Sequence, residues 1–449
     1  MDQASIEGIA PAVHATNETD MPRGREAVVA ALIAAATRLF AERGIEGASV
    51  RDVAGAAGVN HALVFRHFGS KARLVRRVLD ELLDDLVAEF RQAGVDPQAI
   101  AAVGEGVASQ ENLWKLVTRA VLDGQVDFLT EREFPEIEPV LVAVDRVAAA
   151  GFGIEGLERV TGRDLVLLVL AGAVGWVLMD PILAETVGIP GETPGRRRRL
   201  ARAAFLELIG LAEPGSLPLE PDEARKAAVP SEPPERIQGA AERPSVAIAR
   251  EDPPRGRDQV IEALTDAATS LVAERGAAAV SVREIAARAG VNHALVFRHF
   301  GSKDGLIQAV WDRLVADLAG RVTRVPDFAS LTDLTEALAR SETTWKLVAR
   351  ALLDGGAGTV SAVRYHFVDA MVWATDQAQQ DGLLRSRIHP RVLVAMTLAT
   401  GFGYLVFHPV LRPLLGIAEG DPEAERDELR AVVGAMLGWS RPERPRADG

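Results

Sequence analysis

From residue 28 the chain places apolar side chains three and four positions apart: Val28, Val29, Leu32, Ala36 and Leu39. That spacing puts them on one face of an α-helix. The series returns 232 positions later as Val260, Ile261, Leu264, Ala268 and Leu271. Both runs end in Ala-Glu-Arg-Gly (Ala41–Gly44, Ala273–Gly276), whose glycine suits the left-handed residue that closes a helix. Next come "SVRD" from Ser49 and "SVRE" from Ser281. A serine with an acid three residues on, ahead of an apolar run, is a capping box, so a second helix starts there in each copy.

The helical period then breaks into short pieces. "VRDVAGAAG" predicts a helix ended by Gly58; Asn60 caps a new helix, His61–Phe68, which stops at Gly69. Two short helices around a tight glycine turn have the form of a helix-turn-helix. Val53, Ala57, Val64 and Phe68 can face inward, which leaves Ala62, Phe65, Arg66 and Gly69 outward. Ser70 can cap a further helix and place Lys71 at its positive N-terminus, a natural phosphate clamp. The fourteen residues "GVNHALVFRHFGSK" stand at Gly58–Lys71 and again, unchanged, at Gly290–Lys303. Duplication explains identical core residues. Identical outward residues, beside changes such as Ala56 to Arg288 and Arg73 to Gly305, predict that both copies touch the same thing.

Downstream the repeat loosens but continues. "WKLVTRAVLDG" from Trp114 parallels "WKLVARALLDG" from Trp345, and "GWVLMDPIL" parallels "GYLVFHPVL", with Gly175 opposite Gly403. The longest apolar run, Leu165–Met179, is 15 residues between Asp164 and Asp180. That is short of the roughly 20 a membrane span needs and predicts a buried helix. Glu213–Gly256 holds nine prolines in 44 residues with no apolar periodicity and reads as a disordered linker. A flexible chain of that length spans about 35–40 Å. The expected organisation is a disordered tail (1–22), a helix-turn-helix domain (23–78), a helical body (79–212), the linker (213–256), a second helix-turn-helix domain (257–310), a second body (311–440) and a C-terminal tail (441–449).

Composition sharpens this picture. At 449 residues the chain exceeds one ordinary core, and 48% apolar residues with only 5% aromatics favour an all-α protein. There is no cysteine, so disulfides and thiolate metal sites are excluded. The acidic first 22 residues do not form a signal peptide, which places the protein in the cytoplasm. A net charge of −13 argues at first against nucleic acid, but residues 23–77 carry +6 and residues 255–303 carry +2, leaving −21 on the rest. Positive faces on an acidic body suit phosphate binding. His61 and His67, six apart, make a poor metal pair. No cofactor loop or nucleophile motif appears, so no cofactor, metal or catalytic activity is expected. "GRRRRLARAAF" from Gly195 predicts the solvated start of a terminal helix.

The segment "FAERGIEGASVRDVAGAAGVNHALVFRHFGSK" and its second copy resemble the N-terminal domain of TetR-family transcriptional regulators. The resemblance implies two units in one chain, each a helix-turn-helix domain followed by a helical body with a ligand pocket and a dimerisation surface. It implies that His61, Ala62, Leu63 and Arg66 face base edges, with Arg51 reaching in from the preceding helix. Arg66 would pair with guanine, and Ala62 or Leu63 would meet a thymine methyl. Ser49, His67 and Lys71 would hold phosphates, with Asn60 and Phe65 completing the surface. The same roles pass to Ser281, Arg283, Asn292, His293, Ala294, Leu295, Phe297, Arg298, His299 and Lys303. Phe65 departs from the family's usual tyrosine and Leu63 from its common threonine. Trp114, Phe152, Trp176 and Trp345 are candidates to line an apolar effector pocket; the competing reading is structural core. Leu165–Met179 and Val392–Phe407, with helices near Leu200–Leu211 and Leu429–Leu437, would join the units as a covalent pseudodimer on an inverted repeat of double-stranded DNA. The expected function is a repressor relieved by a small apolar ligand, with at most one of the two pockets responding to a given effector. The rival is a helical ligand-binding or interaction module that no longer uses its helix-turn-helix.

Overall fold

The computed structural model describes residues 24–93, 107, 110–124, 138–149, 161–191, 193–208, 219–220, 223, 228–230, 256–322, 342–353, 366–384 and 386–417. Every regular element among them is an α-helix. The first unit comprises α1 (Arg25–Gly47), α2 (Val50–Ala56), α3 (Ala62–Phe68), α4 (Lys71–Ala93), α5 (Glu111–Leu122), α6 (Glu138–Ala149), α7 (Gly162–Thr186) and α8 (Pro194–Leu208). The second comprises α9 (Arg257–Arg275), α10 (Val282–Arg288), α11 (Ala294–Phe300), α12 (Lys303–Val322), α13 (Glu342–Leu353), α14 (His366–Gln380) and α15 (Pro390–Leu414). The tails, Phe152 and Leu429–Leu437 lie outside the described residues.

Each unit opens with a head of four helices. In the first, α1 packs on α2 and α4, and α3 packs on α4. The side chains that the periodicity placed inward, Leu32, Ala36, Leu39, Val53 and Val64, are buried. Gly44 has φ 78° and Gly276 φ 79°, but with ψ near 160° both occupy an extended mirror-image conformation and not the helical left-handed one.

The two long apolar helices hold the bodies together. α7 and α15 form the most extensive helix pair among the described residues. They touch at Gly175 and Gly403, where a Cβ on Gly175 would lie 1.9 Å from the Ala399 carbonyl oxygen and one on Gly403 would lie 1.9 Å from that of Ala171. The helix ends are clasped reciprocally. Arg163, at the start of α7, donates to the Leu415 carbonyl beyond α15. Arg391, at the start of α15, donates to the Val187 carbonyl beyond α7 at 2.6 Å. Guanidinium donors thus meet carbonyls that a helix end leaves unpaired.

This crossing exchanges the two cores. The first head and α5 share a core with the early part of α7 and with Phe402, Phe407, Val410 and Leu411 of α15. The second head and α14 share a core with Val392–Met396 of α15 and with Trp176, Ile182 and Leu183 of α7. Each head thus belongs to a core to which both units contribute.

At 25 residues each, α7 and α15 are long and apolar enough to cross a membrane, and α7 exceeds the 15-residue run that marked it. Their apolarity goes into the shared cores, since 72% and 61% of their most apolar windows are buried. The arginine run is also less solvated than its composition predicts. Arg197 is buried and donates to both carboxylate oxygens of Asp180 on α7, one at 2.8 Å, while Arg196 pairs with Glu223 at 2.9 Å. The proline-rich linker is anchored through that Glu223 and through Ala228, whose carbonyl accepts from Arg391 at 3.0 Å.

Candidate nucleic-acid interface

The helix-turn-helix is built by local chemistry that repeats atom for atom. Ser49 Oγ accepts from the Asp52 amide at 3.2 Å, and the Asp52 carboxylate accepts from the Ser49 amide at 2.8 Å. Ser281 and Glu284 do the same at 3.3 and 2.8 Å. These capping boxes start α2 and α10. Both helices end in a Schellman turn. The Val59 amide donates to Ala54 and that of Gly58 to Gly55; Val291 donates to Ala286 and Gly290 to Ala287. The turn needs φ near +67° at Gly58 and +68° at Gly290, which a side chain would strain. Asn60 Oδ1 then accepts from Ala62 at 2.8 Å, and Asn292 Oδ1 from Ala294 at 2.9 Å, so the next helix begins one residue later than His61. Ser70 and Ser302 cap α4 and α12 through the amides of Arg73 and Gly305.

The resulting surfaces match. His61, Ala62, Phe65 and Arg66 are exposed, as are His293, Ala294, Phe297 and Arg298. Phe65 is 52% and Phe297 53% exposed, which makes them the most exposed large apolar side chains among the described residues. Arg51 and Arg283 are exposed on the preceding helix; His67, His299, Lys71 and Lys303 are half-buried. Leu63 and Leu295 are half-buried against the cores of their heads, so they present less to a base edge than Ala62 or Phe65 does. The Ser49 hydroxyl donates to the Asp52 carboxylate at 2.6 Å, so its proton is already committed.

The candidate effector residues do not gather. Trp114 lies in the first core, where its Nε1 donates to the Val107 carbonyl at 2.7 Å and its ring meets Phe407 edge-on at 5.7 Å. Trp176 lies in the second core, and Trp345 is half-buried against the first.

The heads also differ in a way that the repeat concealed. In the second, Arg275 pairs with Glu284 and Arg288 with Glu274, both at 2.9 Å, tying α9 to α10. In the first, Ala56 stands in the place of Arg288, and a groove of about 640 Å³ opens there between Arg38, Arg43 and Arg51. The signal was the exchange of Ala56 for Arg288, which the sequence displays without its partner. Hydrogen bonds from the Ser281 side chain and backbone, with one from Arg275, lower the Glu284 carboxyl from 4.5 to about 2. The same bonds from Ser49 lower Asp52. A depressed carboxyl contributes stability that is complete above its unfolded value and is lost as pH falls through its folded one. The second head should therefore loosen between pH 4.5 and about 2. Glu284→Gln should flatten that part of the pH dependence in thermal melts; an unchanged profile would show that the capping carboxyl does not govern it.

Two glycine-turned helix pairs with identical cationic outer faces define a helix-turn-helix DNA-binding protein. The family model described as bacterial regulatory proteins, tetR family, matches residues 32–78 and again 264–310. The HTH-type transcriptional repressor Rv3405c of Mycobacterium tuberculosis is 42% identical over 188 residues, which cover 92% of that protein and 42% of this chain. This chain is therefore more than twice as long as that relative. The HTH-type transcriptional repressor KstR2 of Rhodococcus jostii is 38% identical over 87 residues, covering 38% of its own length and 19% of this chain. Among solved structures, Salmonella enterica GusR aligns with 40% of this chain and 95% of its own at 20% identity and a TM-score of 0.32. The chain belongs to the TetR family of transcriptional regulators, carries that family's DNA-binding domain twice, and is not an enzyme.

Proposed function

We propose that this chain is a transcriptional repressor that reads an inverted-repeat operator as a single polypeptide, its two units acting as a covalent pseudodimer. The observation that carries the reading is the fourteen-residue identity, presented with equal exposure on two heads whose bodies cross at Gly175 and Gly403. A pseudo-twofold pair of equal reading helices meets the two arms of an inverted repeat, which forbids change in the helices while the bodies drift. Arg66 and Arg298 read guanine, Ala62 and Phe65 with their counterparts meet thymine methyls, and Lys71 and Lys303 hold phosphates. The acidic bodies disfavour indiscriminate contact with DNA. The name of the Mycobacterium tuberculosis relative favours repression over activation. Relief would come from a small apolar ligand that favours a non-binding arrangement of the heads. Since Trp114 and Trp176, both of the first body, occupy separate cores, such a ligand would engage one core and not both.

Selection of bound fragments from random DNA, followed by footprinting and sedimentation, tests the reading. One chain should occupy one inverted repeat whose half-sites lie about 10 base pairs apart, centre to centre. Protection of two unrelated half-sequences, or of one arm only, would overturn it. Protection of about twice that length would show that chains pair further.

A further inference from the structure

Two arginines are buried where the heads meet the bodies, and the DNA-reading surface uses neither. Arg119 on α5 and Arg350 on α13 are 4% and 3% exposed, and they occupy matching places in the "WKLV" repeats. Each reaches the last turn of the first helix in its own head. Arg119 donates to the carbonyls of Ala41 at 3.3 Å and Glu42 at 3.0 Å; Arg350 donates to that of Glu274, the counterpart of Glu42, at 3.0 Å. These are carbonyls that a helix end leaves without a helical partner. Each arginine also crosses to the other unit. Arg119 Nη2 donates to the Leu353 carbonyl at 3.0 Å, and Arg350 Nη2 donates to the Asp123 carboxylate.

We infer that Arg119 and Arg350 are positioning residues: paired struts that fix each reading head to the opposite unit and so set the half-site spacing that the chain accepts. Four features converge. A buried guanidinium is costly unless it is hydrogen-bonded, and each of these two is bonded by groups of both units, with the Nε of Arg350 alone left without a partner among the described residues. In each guanidinium one nitrogen, Nη2, donates both to a carbonyl of its own head and to a group of the other unit, and the rigid plane of the fork fixes the direction of the two bonds. Both struts attach at the C-terminal end of a head's first helix, beside Gly44 and Gly276, where the chain turns toward the reading pair. Their far ends lie side by side, at the C-termini of α5 and α13, so a shift of one body relative to the other must move both heads.

The inference rests on the inverted-repeat reading for its consequence in DNA binding but not for its geometry, so two readouts separate them. The chain has no cysteine, and exposed Ala56 and Ala287 can each be changed to cysteine and spin-labelled. Pulsed dipolar spectroscopy then reports the head-to-head distance without DNA. The wild-type background should give one narrow distribution. Arg119→Met should broaden it, and so should Asp123→Ala, which cuts only the cross-unit arm of Arg350. Asp123→Asn, which keeps an acceptor oxygen, should restore it. Asp123 is 28% exposed, so its variants keep the fold testable if Arg119→Met fails to fold. On DNA, inserting two base pairs between half-sites turns one arm by about 70° relative to the other. The wild-type preference for the native spacing over this one should fall about 5- to 150-fold in Asp123→Ala, with affinity for an isolated half-site unchanged. Unbroadened distances in both variants overturn the inference whatever the DNA result. Broadened distances with no wild-type spacing preference support the strut and overturn the operator reading. Broadened distances with the preference intact overturn the claim that the struts set spacing.

Discussion

A chain with both Arg66 and Arg298 changed to alanine is expected to bind its inverted repeat about 2–6 kcal/mol more weakly than the wild type. Each guanidinium, paired with the O6 and N7 edge of a guanine, contributes about 1–3 kcal/mol of discrimination. The two sit on separate heads and share no contact, so their losses should add. Both are exposed at equivalent positions in α3 and α11. Each single variant should relax preference at one base of one arm. Lys71→Ala should instead weaken all sequences alike and lower the salt slope by about one unit, because a phosphate contact carries no sequence information. Binding to operators with single-base changes at several salt concentrations separates these effects. A double variant no weaker than either single one would show that only one head reads DNA. An Arg66→Ala loss shared equally by all sequences would move that side chain from the bases to the backbone.

The heads were legible because the groups that shape them are neighbours in the chain. Ser49 and Asp52 are three residues apart, the Schellman turn needs only Gly58 after an apolar run, and Asn60 bonds two residues on. Each bond has its own letters in the sequence. The length of α7 was not legible, for an equally local reason. Asp164 and Asp180 look like charged borders of an apolar run. Yet Asp164 is the acid of a capping box with Thr161, at the helix start, and Asp180 is neutralised inside by Arg197. A charge ends a buried helix only if nothing meets it. The linker shows the same limit, since prolines and lost periodicity described its backbone but not that Glu223 finds Arg196 or that Ala228 finds Arg391.

The core exchange was further from reach. Alignment placed Gly175 opposite Gly403 and Trp114 opposite Trp345 as equivalents. It could not say that the two glycines touch, or that Trp114 packs on Phe407 of the other unit. A repeat states which residues are alike; which of them meet depends on the crossing of α7 and α15. The phenylalanines are the opposite case: the spacing of Val64 and Phe68 turned Phe65 outward in the sequence, and Phe65 is 52% exposed while Val64 is buried.

Gly175→Leu should separate the two units at their crossing. A Cβ at this position meets the Ala399 carbonyl oxygen at 1.9 Å, the carbonyl carbon at 2.8 Å and the Gly403 amide nitrogen at 3.0 Å. All three are backbone atoms in the middle of a buried helix, so no rotamer relieves the clash and α7 and α15 must part. Replacing a helical glycine gains up to about 1 kcal/mol in propensity. Overpacking of a tight core costs about 1–3 kcal/mol, and more where the backbone must move, so the loss prevails. Because the cores are exchanged here, parting the helices also withdraws Phe402 and Phe407 from the first core and Trp176 and Ile182 from the second. Both heads should then melt earlier, and the advantage of a full inverted repeat over an isolated half-site should disappear. Gly172→Ala is the control. Its Cβ would meet only the Thr400 hydroxyl, at 2.9 Å, and that side chain can turn away. Little change is expected there in melting temperature or in full-site preference. If Gly175→Leu melts and binds like Gly172→Ala, the close approach of the two helices does not hold the units together, and the pseudodimer must be joined elsewhere.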